Sequence, residues 1–225
     1  MNPTLVTTAD GSHSLYIAEL SEHYHSVHGA IQESEHVFIG AGLEAVSSRI
    51  PYLHLLEMGF GTGLNAFLTY LACLNNPARH VYYTALEAYP IDTQTALQLN
   101  YTNRLNAHAH APVFEAMHQC AWNSPVAVTP NFTLTKLCTT IQEATLPTNA
   151  FHLIYFDAFA PSAQPELWTA TVFEKMYQAL LPDGLLTTYC AKGEVKRTLR
   201  NVGFTVQSLP GPIGKREMTR AMKPA

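Results

Sequence analysis

Charge is scarce in this chain: Asp, Glu, Lys and Arg make up only 13% of 225 residues, against 47% hydrophobic. That balance excludes an intrinsically disordered segment, which stays solvated through charge and few apolar residues. Long apolar runs are also lacking, and none approaches the roughly 20 residues that cross a bilayer, so no membrane partner is expected. The opening MNPTLVTTADGSHSLY has neither the basic nor the apolar region of a secretory signal, which makes the cytoplasm the expected compartment. Cysteine is sparse. Cys73, Cys120, Cys138 and Cys190 lie far apart with no CxxC spacing, as expected of buried free thiols in a reducing compartment. Histidine is plentiful, but His23, His25 and His28, or His108 and His110, form no HExxH pattern, and i, i+2 spacing splays rings apart on a helix. No metal site is expected.

What is present centres on His54-Leu55-Leu56-Glu57-Met58-Gly59-Phe60-Gly61-Thr62-Gly63-Leu64-Asn65. The apolar run predicts a buried strand, the three glycines a tight turn, and Leu64 to Leu74 an amphipathic helix. Side chains at the glycines are expected to block a ligand from the backbone, while the helix N-terminus beyond offers free N–H groups. A nucleoside-bearing cofactor suits such a loop. The dinucleotide fingerprint is G-x-G-x-x-G/A, and here the third glycine comes one residue early, although Ala66 satisfies a loose match. The acid followed by G-x-G-x-G is similar instead to the first motif of class I S-adenosylmethionine-dependent methyltransferases, and the dinucleotide reading stays second.

His80 to Glu87 reads as a second strand ending on an acid, 24 residues past Gly63, near where this topology sets a carboxylate against the two ribose hydroxyls. Asp92 is placed to cap the helix that follows. Phe132–Leu137 and Phe151–Phe156 read as strands, the latter ending at Asp157. Ligands of open α/β sheets bind outside the carboxyl ends of the strands, so Glu57, Glu87 and Asp157 are predicted to share one edge. Residues 14–20 read as a strand and residues 22–43 as an irregular polar stretch, either ligand-facing or a surface lead-in helix. A helix is expected from Pro165-Glu166-Leu167-Trp168 to about Leu181, then a turn at 182–184, a strand over 185–190, a basic helix from Lys192 to Asn201 closed by Gly203, and a strand over 204–207. The net charge is −4, yet the last 34 residues hold eight basic against two acidic side chains, a local +6 that suits a polyanion or a solvated helix face.

Four separated motifs agree with one family. GAIQESEHVFI (29–39), LEMGFGTGLN (56–65), YFDAFAPSAQPELWT (155–169) and GPIGKREM (211–218) together resemble the methyltransferase module of MnmC, also found alone as MnmD. The resemblance implies an α/β, class I S-adenosylmethionine-dependent methyltransferase fold: a Rossmann-like, seven-stranded, mostly parallel sheet with helices on both faces. Residues 1–50 would be a lead-in segment on a core of 51–225. It implies S-adenosyl-L-methionine as cofactor, the tRNA anticodon stem-loop as partner, and methylation of the aminomethyl group on the wobble uridine to give 5-methylaminomethyl-2-thiouridine. The chain stops at Ala225, so the oxidase of the two-domain form is expected to be absent and a separate enzyme to supply the amine.

Carried over by motif, Glu57, Gly59, Gly61, Gly63 and Asn65 resemble the cofactor loop, Glu87 the ribose acid, and Glu33 a further cofactor contact. Asp157 resembles the acid beside the transferred methyl. Phe159 is a candidate base-stacking ring, whereas Tyr155 and Trp168 are better explained as core. Lys192, Lys215 and Arg216 are candidate tRNA contacts. Where related sequences carry an acid at the end of the third strand to hold adenine, this chain has Thr139 or Thr140, and Thr140 takes that place among the cofactor contacts. The rival readings are an aminopropyltransferase-like or other small-amine enzyme, and a non-catalytic tRNA-binding protein.

Overall fold

A computed structural model describes residues 3–225. The chain opens with β1 (Thr4–Thr7), β2 (His13–Ile17) and β3 (Glu22–His23), a small antiparallel sheet. Next comes α1 (Ala30–Ser34), which runs on as a π-helical stretch over Glu35–Gly40 and a 3-10 turn at Leu43–Ala45. Of the polar stretch over residues 22–43, the part from Ala30 to Gly40 is helical. It is not a surface helix, since Ala30, Glu33, Ser34, Val37 and Phe38 are all buried.

The core is a succession of β4 (Tyr52–Met58), α2 (Leu64–Cys73), β5 (His80–Leu86), α3 (Thr93–Leu97), α4 (Tyr101–Arg104), α5 (Ala111–Gln119), β6 (Pro125–Thr129), β7 (Phe132–Leu137), β8 (Phe151–Phe156), α6 (Ala170–Ala179), β9 (Leu180–Thr188), α7 (Gly193–Val202), β10 (Thr205–Pro210) and β11 (Glu217–Met222). The main sheet has the order β10-β11-β9-β8-β4-β5-β7-β6. Strands β7, β5, β4, β8 and β9 are parallel, and β11 and β10 close the sheet antiparallel. The expected seven-stranded arrangement is present with an eighth strand added, because β6 folds back as a hairpin on β7 through the turn Pro130–Asn131.

Local signals explain most boundaries. Asp92 caps α3 by accepting from the Thr95 N–H at 2.9 Å, and Gly203, at φ 118°, ends α7 in a conformation that L side chains avoid. Two expectations need correction. The helix expected from Pro165 is a 3-10 turn at Pro165–Leu167, and α6 begins only after Thr169, whose hydroxyl accepts from the Val172 N–H. The expected turn at 182–184 lies inside β9, where the register against β8 shifts and Asp183 takes φ 61°.

The two faces of the sheet are covered unequally. On one, Leu53, Leu55, Val81, Tyr83, Leu134, Leu153 and Tyr155 pack on α2 through Phe67 and on α5 through Phe114 and Met117. On the other, Leu56, Ile154, Phe156 and Leu186 meet α6 and α7 through Val172, Phe173, Met176, Val195 and Leu199. The β7-to-β8 connection, residues 138–150, forms no helix. A parallel sheet is normally covered on both faces, and here the missing helix leaves His54, His80, Tyr82, Thr133 and Thr135 half-exposed. Tyr82 stacks on His54 (4.7 Å between ring centroids, 10° between planes) and on His80 (4.4 Å). Among the described residues no helix is long and apolar enough to cross a membrane.

Candidate active site

At the carboxyl end of the parallel strands lies a cavity of about 580 Å³, within the range of small-molecule sites. Its wall joins the glycine loop, Glu87 after β5, residues 139–142 after β7, residues 157–160 after β8, Tyr189 after β9, and residues 22–27, Glu33 and Lys215 from the two ends of the chain.

Backbone conformation and close packing already require glycine in this loop. Gly59, Gly61 and Gly63 have φ of 86°, 47° and 71°. A Cβ at Gly59 would come 2.9 Å from the Asp157 carbonyl oxygen, at Gly61 3.0 Å from the Tyr24 ring, and at Gly63 2.8 Å from His118 Nε2. Side chains are excluded by left-handed backbone and close packing. Gly59 and Gly61 also line the cavity, where side chains are expected to block a ligand, whereas Gly63 lies behind the cavity wall.

Glu87 lines the cavity, its carboxylate accepting from the Gly61 N–H at 2.9 Å and the Tyr89 N–H at 2.8 Å. Burial raises its pKa, and those two donors oppose the rise. Glu57 occupies the same strand-end layer but does not reach the cavity. In β4 it shares a face with Leu53 and Leu55, so strand alternation turns it into the core, where it is 0% exposed. A direct contact with a cofactor is expected of Glu57, but the residue lies beneath the cavity wall. Asn65, on the first turn of α2, connects the layers: Nδ2 donates to Glu57 Oε1 at 3.0 Å and to Asp157 Oδ2 at 2.8 Å.

Asp157 lines the cavity, and among the described residues its Oδ1 has no hydrogen-bond partner. Burial, reinforced by the negative charge of Glu33, pushes its pKa up to about 7, opposed by Asn65 and Lys215. Glu33 is buried, accepts from the Ser26 N–H at 2.8 Å and pairs with Lys215, whose ammonium also sits 3.9 Å from the centroid of the Tyr189 ring. This ion pair joins the N-terminal segment to the loop before β11 across the cavity. Phe159 meets Tyr24 edge-on at 5.3 Å, and the Trp168 indole N–H holds the Phe159 carbonyl at 2.9 Å. Tyr155 and Trp168 are core residues, as expected. Thr139, Thr140, Ile141 and Gln142 form the cavity wall beyond Glu87 and carry hydroxyl and amide groups but no carboxylate.

The basic C-terminal region is less free than its composition implies. Lys196 is buried and bonds Glu217 and Ser208, each at 2.7 Å, Lys215 holds Glu33, Arg220 bonds Gln207, and Lys223 bonds Asn149. Lys192, Arg197, Arg200 and Arg216 remain exposed. Of the three basic residues expected as tRNA contacts, Lys215 lines the cavity, while Lys192 and Arg216 are exposed outside it. Tyr24 and Tyr189 were missed in the sequence. Tyr189 directly follows a parallel strand and the carboxyl-edge rule could have found it, whereas nothing in the N-terminal pattern marks Tyr24. The four cysteines are free thiols, but Cys138 is exposed, contrary to expectation. Among the described residues no cluster of three or more His, Cys, Asp or Glu is placed to hold a metal.

A family model described as S-adenosyl-L-methionine-dependent methyltransferase matches residues 103–224. The chain is 31% identical over 223 residues to the tRNA 5-methylaminomethyl-2-thiouridine biosynthesis bifunctional protein MnmC of Ralstonia nicotianae, covering 93% of this chain and 33% of that one. It is 35% identical over 219 residues to the protein of the same name from Magnetococcus marinus, covering 89% and 31% respectively. The chain thus spans about a third of the length of these curated relatives. The crystal structure of MNMC2 from Aquifex aeolicus superposes with a TM-score of 0.78 at 23% identity over 100% of this chain and 71% of that one, a likeness of fold. With a glycine turn and an acid-lined cavity at the carboxyl edge of such a sheet, the chain belongs to the S-adenosyl-L-methionine-dependent methyltransferase family.

Proposed function

We propose that the chain methylates the 5-aminomethyl group of the tRNA wobble uridine, forming 5-methylaminomethyl-(2-thio)uridine, with S-adenosyl-L-methionine as methyl donor. The reading rests above all on Asp157, a carboxylate with one oxygen held by Asn65 and the other facing the cavity. The names of the relatives point to this substrate.

The cavity's chemistry suits the cofactor. Glu87 is an acceptor for ribose hydroxyls, Thr140 and its neighbours offer polar groups for adenine, and Gly59, Gly61 and Glu33 bound the amino-acid end. The bound cofactor would supply an activated methyl on a sulfonium, so little is asked of the protein beyond orientation, exclusion of water and handling of one proton. An aminomethyl group arrives protonated at neutral pH and must become an amine. Asp157 Oδ1 accepts that proton and passes it to solvent, and the restored carboxylate together with Glu33 favours the cation that forms on nitrogen as it gains the methyl and sulfur regains its lone pair. A pKa of about 7 suits both holding and releasing a proton. Phe159 and Tyr24 offer ring surface to an extruded base, the usual way single-stranded RNA loops are read. Exposed Lys192, Arg197, Arg200 and Arg216 supply phosphate contacts, and a separate enzyme supplies the amine in the cytoplasm.

Mass spectrometry of wobble nucleosides tests this. In a strain lacking the gene, the aminomethyl nucleoside should accumulate and the methylaminomethyl nucleoside vanish, and the wild-type gene should restore it. An unchanged nucleoside profile would sink the proposal. The acidic cavity would also accept a small diamine, and calorimetry with decarboxylated S-adenosylmethionine separates that reading.

A further inference from the structure

Two carboxylates in this site meet at one nitrogen. Asn65 is 3% exposed and Glu57 0%, and Asn65 Nδ2 has both protons committed, one to Glu57 Oε1 and one to Asp157 Oδ2. A flipped amide would set Oδ1 against both carboxylates, so the orientation is fixed by charge. The far oxygen of Glu57, Oε2, and the neighbouring Tyr83 hydroxyl are buried without a formed hydrogen bond, so among the described residues only Asn65 and the nearby Tyr83 favour a negative charge on Glu57, against burial and the charges of Asp157 and Glu87. A buried carboxylate whose desolvation outweighs its few donors takes up a proton rather than stay ionised.

We propose that Asn65 is a positioning residue for the proton acceptor: its amide bridges the pair, keeps Asp157 as the sole anion and leaves Glu57 as the neutral member, its proton on Oε2 towards Tyr83. The inference rests on the methyltransferase reading for its consequence in catalysis, but its electrostatic content belongs to the protein alone. Asp157 faces Glu33 from α1, Lys215 from the loop before β11, Tyr189 after β9 and Asn65 from α2. Glu57 faces Asp157, Glu87, Tyr83 and Tyr155 and, among the described residues, no cation. Burial accordingly raises Glu57 well above the usual carboxylate range, while Asp157, with Lys215 and Asn65 beside it, is held nearer neutrality. In the reaction the proton leaving the substrate ammonium goes to Asp157 Oδ1 and then to solvent. Glu57 neither gains nor loses one, and its neutrality keeps a second negative charge from disabling Asp157 as an acceptor that can also release.

The test is a carbon NMR titration of protein labelled at its side-chain carboxyls, without cofactor or tRNA, with Asp157 assigned through Asp157→Asn. Wild type should show Asp157 titrating near 7 and Glu57 protonated throughout neutral pH. Asn65→Ala should raise the Asp157 midpoint by about one unit, because a hydrogen bond to the charged form is lost. Glu57→Gln, an isostere of the neutral acid, should leave that midpoint within a few tenths. A midpoint that Asn65→Ala does not move, or that Glu57→Gln lowers by about one unit, overturns the proposal. If Asn65→Ala does not fold, the Glu57 resonance and Glu57→Gln decide it. Failure of wild type to bind S-adenosylhomocysteine would defeat the methyltransferase reading and leave this titration standing.

Discussion

The two ends of the same sheet are built from opposite chemistry. At the carboxyl edge Glu33, Glu57, Glu87 and Asp157 lie close together, Lys215 pairs with Glu33 beside Asp157, and the glycine turn is held in left-handed backbone. At the amino edge His54, His80 and His152 gather around Tyr82 in stacked pairs, with His152 Nδ1 accepting the His54 N–H at 3.1 Å. The amino edge consists of rings that stack on one another, whereas at the carboxyl edge, among the described residues, only Glu33 has an ion-pair partner and the cost of burying the other acids is not fully relieved. Such unrelieved groups mark places where a ligand completes the structure. Function should therefore be breakable at one end without loss of stability, and stability at the other without loss of function.

The largest effect is expected at Asp157. Asp157→Ala should lower turnover by about two to four orders of magnitude, the range for a general base, while S-adenosylhomocysteine affinity measured by calorimetry stays close to wild type and the melting temperature does not fall. A variant that kept its turnover would remove Asp157 from the chemistry. At Glu87 the loss falls on binding: Glu87→Ala should weaken S-adenosylhomocysteine binding by roughly tenfold to a hundredfold, since hydrogen bonds to a charged acceptor are worth about 1.5–3 kcal/mol. Tyr82→Ala should do the converse, lowering the melting temperature by a few degrees with cofactor affinity unchanged. Equal loss of binding in both variants would erase the contrast between the two ends.

A smaller effect concerns pH. Burial pushes His25 and His118 down to about 4 from an ordinary 6.5. The unfolded chain therefore binds more protons between those values, so both histidines contribute stability that is fully present above about 6.5 and lost as pH falls towards about 4. Thermal melts should decline over that window, and His118→Gln should flatten the decline. The smallest effect lies on the surface: reversing Arg197 and Arg200 to Glu should weaken tRNA binding and lessen its salt dependence, as measured by filter binding across a salt series.

Much of this arrangement was legible in the sequence because it follows short-range rules. The strand, glycine turn and helix over 52–73 and the acids ending β5 and β8 came from apolar runs and their breaks, and the common edge of Glu87 and Asp157 from the topology of parallel sheets. Glu57 was misplaced for a reason the sequence did contain: its parity with Leu53 and Leu55 turns it inward. Composition counts charges but not partners, so the sequence does not show that Lys196, Lys215 and Lys223 are committed to Glu217, Glu33 and Asn149. Tyr24 and the missing helix between β7 and β8 depend on contacts between distant segments, which no local pattern encodes.

The most direct test of the account is single-turnover transfer of a labelled methyl from S-adenosylmethionine to tRNA bearing 5-aminomethyl-2-thiouridine, wild type against Asp157→Asn. The account predicts label on the wobble nucleoside with wild type and nearly none with the variant, at equal cofactor occupancy. Equal transfer by both, or none by wild type, would contradict it.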